Sequence, residues 1–442
     1  MSESQSLEVG QFRITRADLK PYGKTLDGKE LVTPFSIANY ITALSFTESI
    51  NSPVLFGQMT IIDSSGLLDN YALLGEEILT ISYVDFFENV ITQEFIVYNV
   101  SNIMPNDQTN LVHYNLKFVS PQHIVSASRV IQKSYTGTIK DIIQKVFDEY
   151  LASTKFTDSV NEIEIEDTTG VQTLVIPSLQ PIHTIDFLKR RSYSADNKSS
   201  NFYFFQNRKK FKMLTHEQMI SDGKPKAISY TFDPALNAND PSNRNAAMNN
   251  LISFYLPKRL DTLDEINRGA MILDVVEVDI LNKQYIHNIH KYHDTYNDYD
   301  HLDDNVRFPH TEEFMDDYFG DNNVMKSVLI FKDFERERQQ YKDIIGPRFS
   351  NYYYLNAFTA KIEIYGRNDL FAGDIINLHI PQFEDTIGNN GKSLHQSLSG
   401  YWLIQDIMHS LTNSVYKCQL TISKDLAKRG GVGSNSTWDI GT

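Results

Sequence analysis

Apolar and polar residues alternate at period two through residues 41–46, 55–62, 78–83 and 94–98, the pattern of strands with one buried and one solvated face. The same alternation returns at 228–232, 251–255, 272–278 and 285–289, and the turn at Asn282-Lys283 predicts a hairpin between the last two. Between these blocks the period changes. Thr138 with Asp141 forms a capping pair, and Ile139, Ile142, Ile143, Val146, Phe147 and Tyr150 follow at the spacing of an amphipathic helix. Pro181 opens a second short helix through Ile185 and Leu188, because proline suits a first helical turn. Residues 202–205 and 211–214 then read as a hairpin joined by Asn207-Arg208-Lys209-Lys210. Further short helices are expected over 64–71 and 333–341.

Two of the β segments read as copies of one unit. Tyr98-Asn99-Val100-Ser101-Asn102-Ile103-Met104 matches Trp402-Leu403-Ile404-Gln405-Asp406-Ile407-Met408, and residues 112–118 then match 416–422 with no gap. Each copy follows a Gly-acid-apolar step, Gly75-Glu76-Glu77-Ile78 and Gly373-Asp374-Ile375. The expected class is mainly β with an α+β insert. Its expected parts are a first β domain at 1–120, an inserted α+β domain at 121–220, a second β domain at 221–350 and 351–427, and a flexible Gly/Ser-rich tail at 428–442. The first part of the second domain includes an acid-dense loop at 294–321. Duplication of a β domain points to a ring component rather than a lone catalyst.

Composition narrows the function classes. At 442 residues, with 41% hydrophobic and 12% aromatic residues, the chain has material for ordinary buried cores. A net charge of −15 argues against sequence-independent grip on nucleic acid, which depends on lysine and arginine, and an acidic surface suits a conduit through which nucleic acid passes without sticking. Arg208-Lys209-Lys210 and Lys189-Arg190-Arg191 are the basic clusters, and a solvated face is the plainer reading of both. The single cysteine, Cys418, lies on an alternating strand and reads as a buried structural thiol. The polar start and the absence of a run of about 18 apolar residues predict synthesis without export or membrane insertion.

Motifs for catalysis are sparse. His287-x-x-His290-x-x-His293 invites a metal, but residues three apart on a strand point to opposite faces, so rim positions on a hairpin are the plainer reading. Asp298, Asp300, Asp303 and Asp304 lack the glycine and distal glutamate of the helix-loop-helix calcium motif. Nucleophile elbows, phosphate loops, CxxC pairs and dinucleotide fingerprints are absent. No cofactor is called for. Trp438, in the Gly/Ser-rich tail, is a candidate partner anchor.

The order of parts resembles the baseplate hub proteins of contractile-tailed bacteriophages, a family that includes the hub portion of type VI secretion spike proteins. The resemblance rests on residues 354–366, on Leu370-Phe371-Ala372-Gly373-Asp374-Ile375-Ile376-Asn377-Leu378, and on Ser399-Gly400-Tyr401-Trp402-Leu403-Ile404-Gln405-Asp406-Ile407-Met408-His409, with a closing strand ending near Lys424-Asp425. Residues 130–138 and 176–182 are similar to the family's middle region.

The resemblance implies two tail-tube-like antiparallel β-barrel domains and a homotrimer forming a pseudo-six-fold ring, a structural symmetry adaptor in the virion's tail baseplate, assembled in the host cytoplasm. It implies as partners a central spike, the tail tube or a tube initiator, and baseplate wedge proteins, with DNA only in transit through the channel. Three other readings stay open: a metal-dependent hydrolase using His287, His290 and His293; a tail-tip hub of a non-contractile phage; and a carbohydrate-binding β protein suggested by Tyr352-Tyr353-Tyr354.

Overall fold

The computed structural model describes residues 7–21, 34–68, 73–106, 111–152, 156, 159–236, 240–258, 261–303, 317, 326–331, 341–382, 394–395 and 397–425. Residues 333–340 of the helix expected over 333–341, most of 304–325, and Trp438 with the rest of the tail lie outside these residues. The first β unit comprises β1 (Arg13–Lys20), β2 (Phe35–Ser36), β3 (Ile41–Ser49), β4 (Phe56–Asp63), β5 (Ile78–Val84), β6 (Val90–Asn106) and β7 (Leu111–Val119). An α+β segment follows with β8 (Ser134–Gly137), β9 (Ile163–Ile165), β10 (Gln172–Val175), β11 (Phe202–Gln206) and β12 (Phe211–Thr215), together with helices Pro121–Ala127, Ile139–Val146, Pro181–Lys189 and His216–Gly223. The second unit uses β13 (Ile228–Thr231) and β14 (Ser253–Lys258), and is completed by β18 (Phe358–Tyr365), β19 (Ile375–His379), β20 (Gly400–Thr412) and β21 (Val415–Lys424). Between β14 and β18 sits a separate three-stranded sheet of β15 (Ile272–Asp279), β16 (Gln284–Lys291) and β17 (Ser327–Phe331), and the helix Tyr341–Leu355.

The two β units form one sheet. Its order runs β14-β18-β21-β20-β3-β4-β7-β6-β5-β1-β2, with β19 paired to β20 and β13 to β19. The units meet where β20 runs antiparallel to β3, from Asp406 opposite Ser49 to Thr412 opposite Ala43. One apolar cluster continues across that junction, taking Leu44, Phe46 and Tyr83 from the first unit and Ile407, Tyr416 and Ile422 from the second. The α+β segment has its own core around Ile139, Ile142, Phe147, Phe204 and Phe211. Its capping pair forms as the spacing predicts, with the Asp141 N–H donating to Thr138 Oγ1 at 3.1 Å.

Four strands of one copy pair in the same order and sense as four of the other, β3-β4-β7-β6 and β14-β18-β21-β20, with one correction to the sequence match. The carbonyl of Glu77 accepts from the Val97 N–H at 2.9 Å, and the carbonyl of Asp374 accepts from the Ile404 N–H at 2.9 Å. A bulge follows each of these residues, at Val97/Asn99 and at Ile404/Asp406. Val97 is therefore the counterpart of Ile404, whereas Phe118 remains the counterpart of Ile422. The ungapped match is out of step by three residues on its first strand. A second bulge at Ser101/Met104 adds one residue to β6, and Asn106 joins Leu111 across four residues where Thr412 joins Val415 across two. Asn413 and Ser414, both at positive φ, make the tight turn of the second copy. The units also diverge at one side, since β1 runs antiparallel to β5 while β13 runs parallel to β19.

Candidate functional site

Period-two alternation in four strands of each unit places apolar residues in the shared core and leaves the opposite face mostly polar, with Phe56 and Met408 exposed on it. Along the eight strands from β14 to β6 this face carries Ser45, Thr47, Gln58, Thr60, Asn99, Ser101, Asn115, Ser410, Gln419 and Thr421. Among its described side chains, apart from His113, charge is confined to Lys117, Lys361, Lys417, Glu94, Glu363 and Asp406, and Lys417 pairs with Glu363 at 3.1 Å. The wall is therefore close to neutral. The net charge of −15 is not carried by this face.

Among the described residues, no strand pairs with the outer edge of β6 beyond Val97 or with the outer edge of β14. β20 pairs with β19 through its first residues and with β3 through Asp406–Thr412. Its counterpart β6 pairs with β5 through Ile96, but among the described residues nothing pairs with that edge beyond Val97. β14, the counterpart of β3, has β18 on one side and, among the described residues, no strand on the other. Tyr98, Ile103 and Met104 on β6 and Tyr255 on β14 are exposed there, Met104 and Tyr255 each at 63%.

Arg208 fixes how the parts meet. It lies in the β11–β12 turn, and instead of facing solvent it is buried between the two units. Its Nε donates to Glu48 on β3, Nη1 donates to the Tyr83 hydroxyl at 3.1 Å and to Asn368 Oδ1 at 3.2 Å, and Nη2 donates to the Leu370 carbonyl at 2.6 Å. Burial pushes the Glu48 carboxyl up, but the charge of Arg208 and the hydrogen bond from His409 outweigh it and hold it below the usual range. The reading of Arg208-Lys209-Lys210 as a solvated face fails at its first residue. Nothing in a basic tripeptide marks which residue is buried; the buried acid on β3 that would have identified it is far away in sequence.

Cys418 is buried, as its strand position predicts. Its Sγ lies 3.3 Å from His409 Nδ1, and His409 Nε2 lies 3.6 Å from Glu48 Oε1. This order of thiol, imidazole and carboxylate matches a nucleophile, base and orienting acid, but no member offers an exposed atom to a substrate. Burial pushes the thiol up to about 11 and the imidazole down to about 4, so both are neutral near pH 7.

The histidines are kept apart. His287 and His290 point to opposite faces of β16, where His287 Nδ1 meets Asp274 Oδ2 at 2.9 Å and His290 Nε2 meets the Ser350 hydroxyl at 3.2 Å; His293 lies in the short helix Tyr292–Thr295. Among the described residues no three His, Cys, Asp or Glu side chains converge on one point. The start of the acid-dense segment is seated on the end of β21. There His301 Nδ1 meets Asp425 Oδ2 at 2.8 Å, the Leu302 N–H donates to the same carboxylate at 3.2 Å, and Asp303 pairs with Lys424. No helix among the described residues is long and apolar enough to cross a membrane.

No family model and no curated protein matches the sequence. Solved structures do share the fold. A tail protein from Neisseria meningitidis MC58 aligns over 94% of this chain and 97% of its own length, with TM-score 0.52 and 8% identity. The 43 kDa tail protein of prophage MuSo2 from Shewanella oneidensis aligns over 93% of this chain and 98% of its own length, with TM-score 0.51 and 10% identity.

Proposed function

We infer that the chain is a non-enzymatic structural hub of a phage tail baseplate, in which three copies close into a pseudo-six-fold ring around a channel. The single observation carrying this reading is that the β20–β3 junction sets two equivalent units side by side as one wall and leaves the equivalent edges, β6 and β14, without a strand partner among the described residues. A wall with a mostly polar, nearly neutral face and these two edges is one third of a cylinder. Three walls give six β units, which suits a six-fold tube on one side, while the unequal surroundings of the two copies keep three-fold symmetry for a spike on the other. The fold shared with two tail proteins supports a tail role. The tail tube or its initiator, a central spike and baseplate wedge proteins are the partners of this reading, with DNA crossing the channel.

Mass photometry of the purified full-length chain tests it. A species of about three times the 50.8 kDa of one chain is expected. A monomer that persists at every concentration, with and without a spike protein, contradicts the reading.

A further inference from the structure

Resting on the ring reading, we propose that the contact between copies is a register-matched seam of β6 from one chain against β14 from the next, centred on Met104 opposite Tyr255 and held more by side chains than by backbone. The register follows from the junction inside the chain. There Ser410 of β20 stands opposite Ser45 of β3. Ser410 pairs with Lys417 as Met104 pairs with His113, and Ser45 reaches β4 at Gln58 as Tyr255 reaches β18 at Lys361. Transferring the junction therefore sets Met104 against Tyr255 and Asn106 against Ser253.

The two edges carry a further sign of being made for each other. β6 has one extra residue between Ser101 and Met104, and β14 has one extra residue between Tyr255 and Lys258. In the transferred register these bulges fall on the same rung, where β20 and β3 place the single residues His409 and Phe46. A bulge on one strand alone throws its pairing out of phase, whereas matched bulges restore it on both sides.

The seam differs from the junction inside the chain. Pro105 lies on β6 and Pro257 on β14, and each brings no N–H. The apolar side chains Ile103, Met104 and Tyr255 stand exposed where the internal junction has Ser410 and Ser45. Proline and bulges blunt an edge against indiscriminate strand addition, and exposed apolar groups reward the one partner that covers them. The ring then has three backbone-zipped joints inside chains and three side-chain-packed joints between them, and it comes apart into intact chains at the latter.

Cysteine cross-linking of the full chain tests the register. Directly opposed residues on antiparallel strands lie about 4.5–5.5 Å apart between Cα atoms, within disulfide reach. Met104 and Tyr255 of one chain sit at opposite ends of the eight-strand wall, so any bond between them joins two chains. Under mild oxidation Met104→Cys combined with Tyr255→Cys is expected to give covalent dimers and trimers on a non-reducing gel. Each single variant, and Asn99→Cys combined with Tyr255→Cys, is expected to remain uncross-linked. A trimer by mass photometry without the cross-link, or with the Asn99 cross-link instead, overturns the seam and leaves the ring reading standing. A monomer that never cross-links overturns both.

Discussion

Arg208 and Glu48 form an ion pair in which both side chains are fully buried, and it joins the α+β segment to the seam between the two β units. Its value lies in geometry, because an arginine fork committed to four partners on three elements fixes their positions together. Arg208→Ala leaves Glu48 buried without its counter-charge, and is expected to destabilise the chain by about 3–5 kcal/mol. Arg208→Ala combined with Glu48→Gln is expected to cost less than the sum of the two single changes. Chemical denaturation of the four proteins checks this; strictly additive losses contradict the coupling.

Gly75 and Gly373 occupy the same turn in the two copies, and each has φ +88°. A side chain is strained there in either copy, by about 1–3 kcal/mol. A Cβ on Gly373 also meets the Phe205 ring at 2.8 Å, whereas on Gly75 the nearest atom is a backbone oxygen at 3.3 Å. Gly373→Ala is therefore expected to lower the unfolding midpoint more than Gly75→Ala. Equal losses mean that the contact with the α+β segment does not constrain the turn.

His301 and Asp425 predict a pH signature. Burial lowers the His301 pKa, but the hydrogen bond and charge of Asp425 outweigh it and raise it above 6.5. Burial raises the Asp425 pKa, but His301 outweighs it and lowers it below 3.8. The histidine's contribution is present below 6.5 and is lost as pH rises through its folded value; the aspartate's is present above 3.8 and is lost as pH falls through its folded value. The stability difference between the parent chain and His301→Gln is thus expected to be larger at pH 6 than at pH 8.5. Urea titrations at the two pH values measure it, and a difference that grows with pH contradicts the pairing.

Cys418 is expected to be silent toward an aromatic disulfide reagent in the native chain and to react fully in denaturant, because its thiol is buried and held protonated. Rapid native reaction means that the β20–β21 face opens.

The β elements were legible because strands with one solvated face alternate at period two, and Gly75 and Gly373 marked the duplicated turn. The three-residue offset between the copies was not legible, because the bulge at Ser101/Met104 and the longer turn after Asn106 change the count without disturbing the alternation on either side. The α+β segment announced itself through Thr138, Asp141 and Pro181, whose preferences are local. The polar wall was written in the alternation too, but its two outer edges emerge only when the partners of β20 and β3 are known. Arg208 escaped for the same reason: its partners Glu48, Tyr83 and Asn368 are remote in sequence.

Negative-stain electron microscopy of the purified full-length chain measures the central claim most directly. Class averages are expected to show a ring with a central hole, three-fold overall and close to six-fold at low resolution. Compact particles of single-chain size without a hole contradict it.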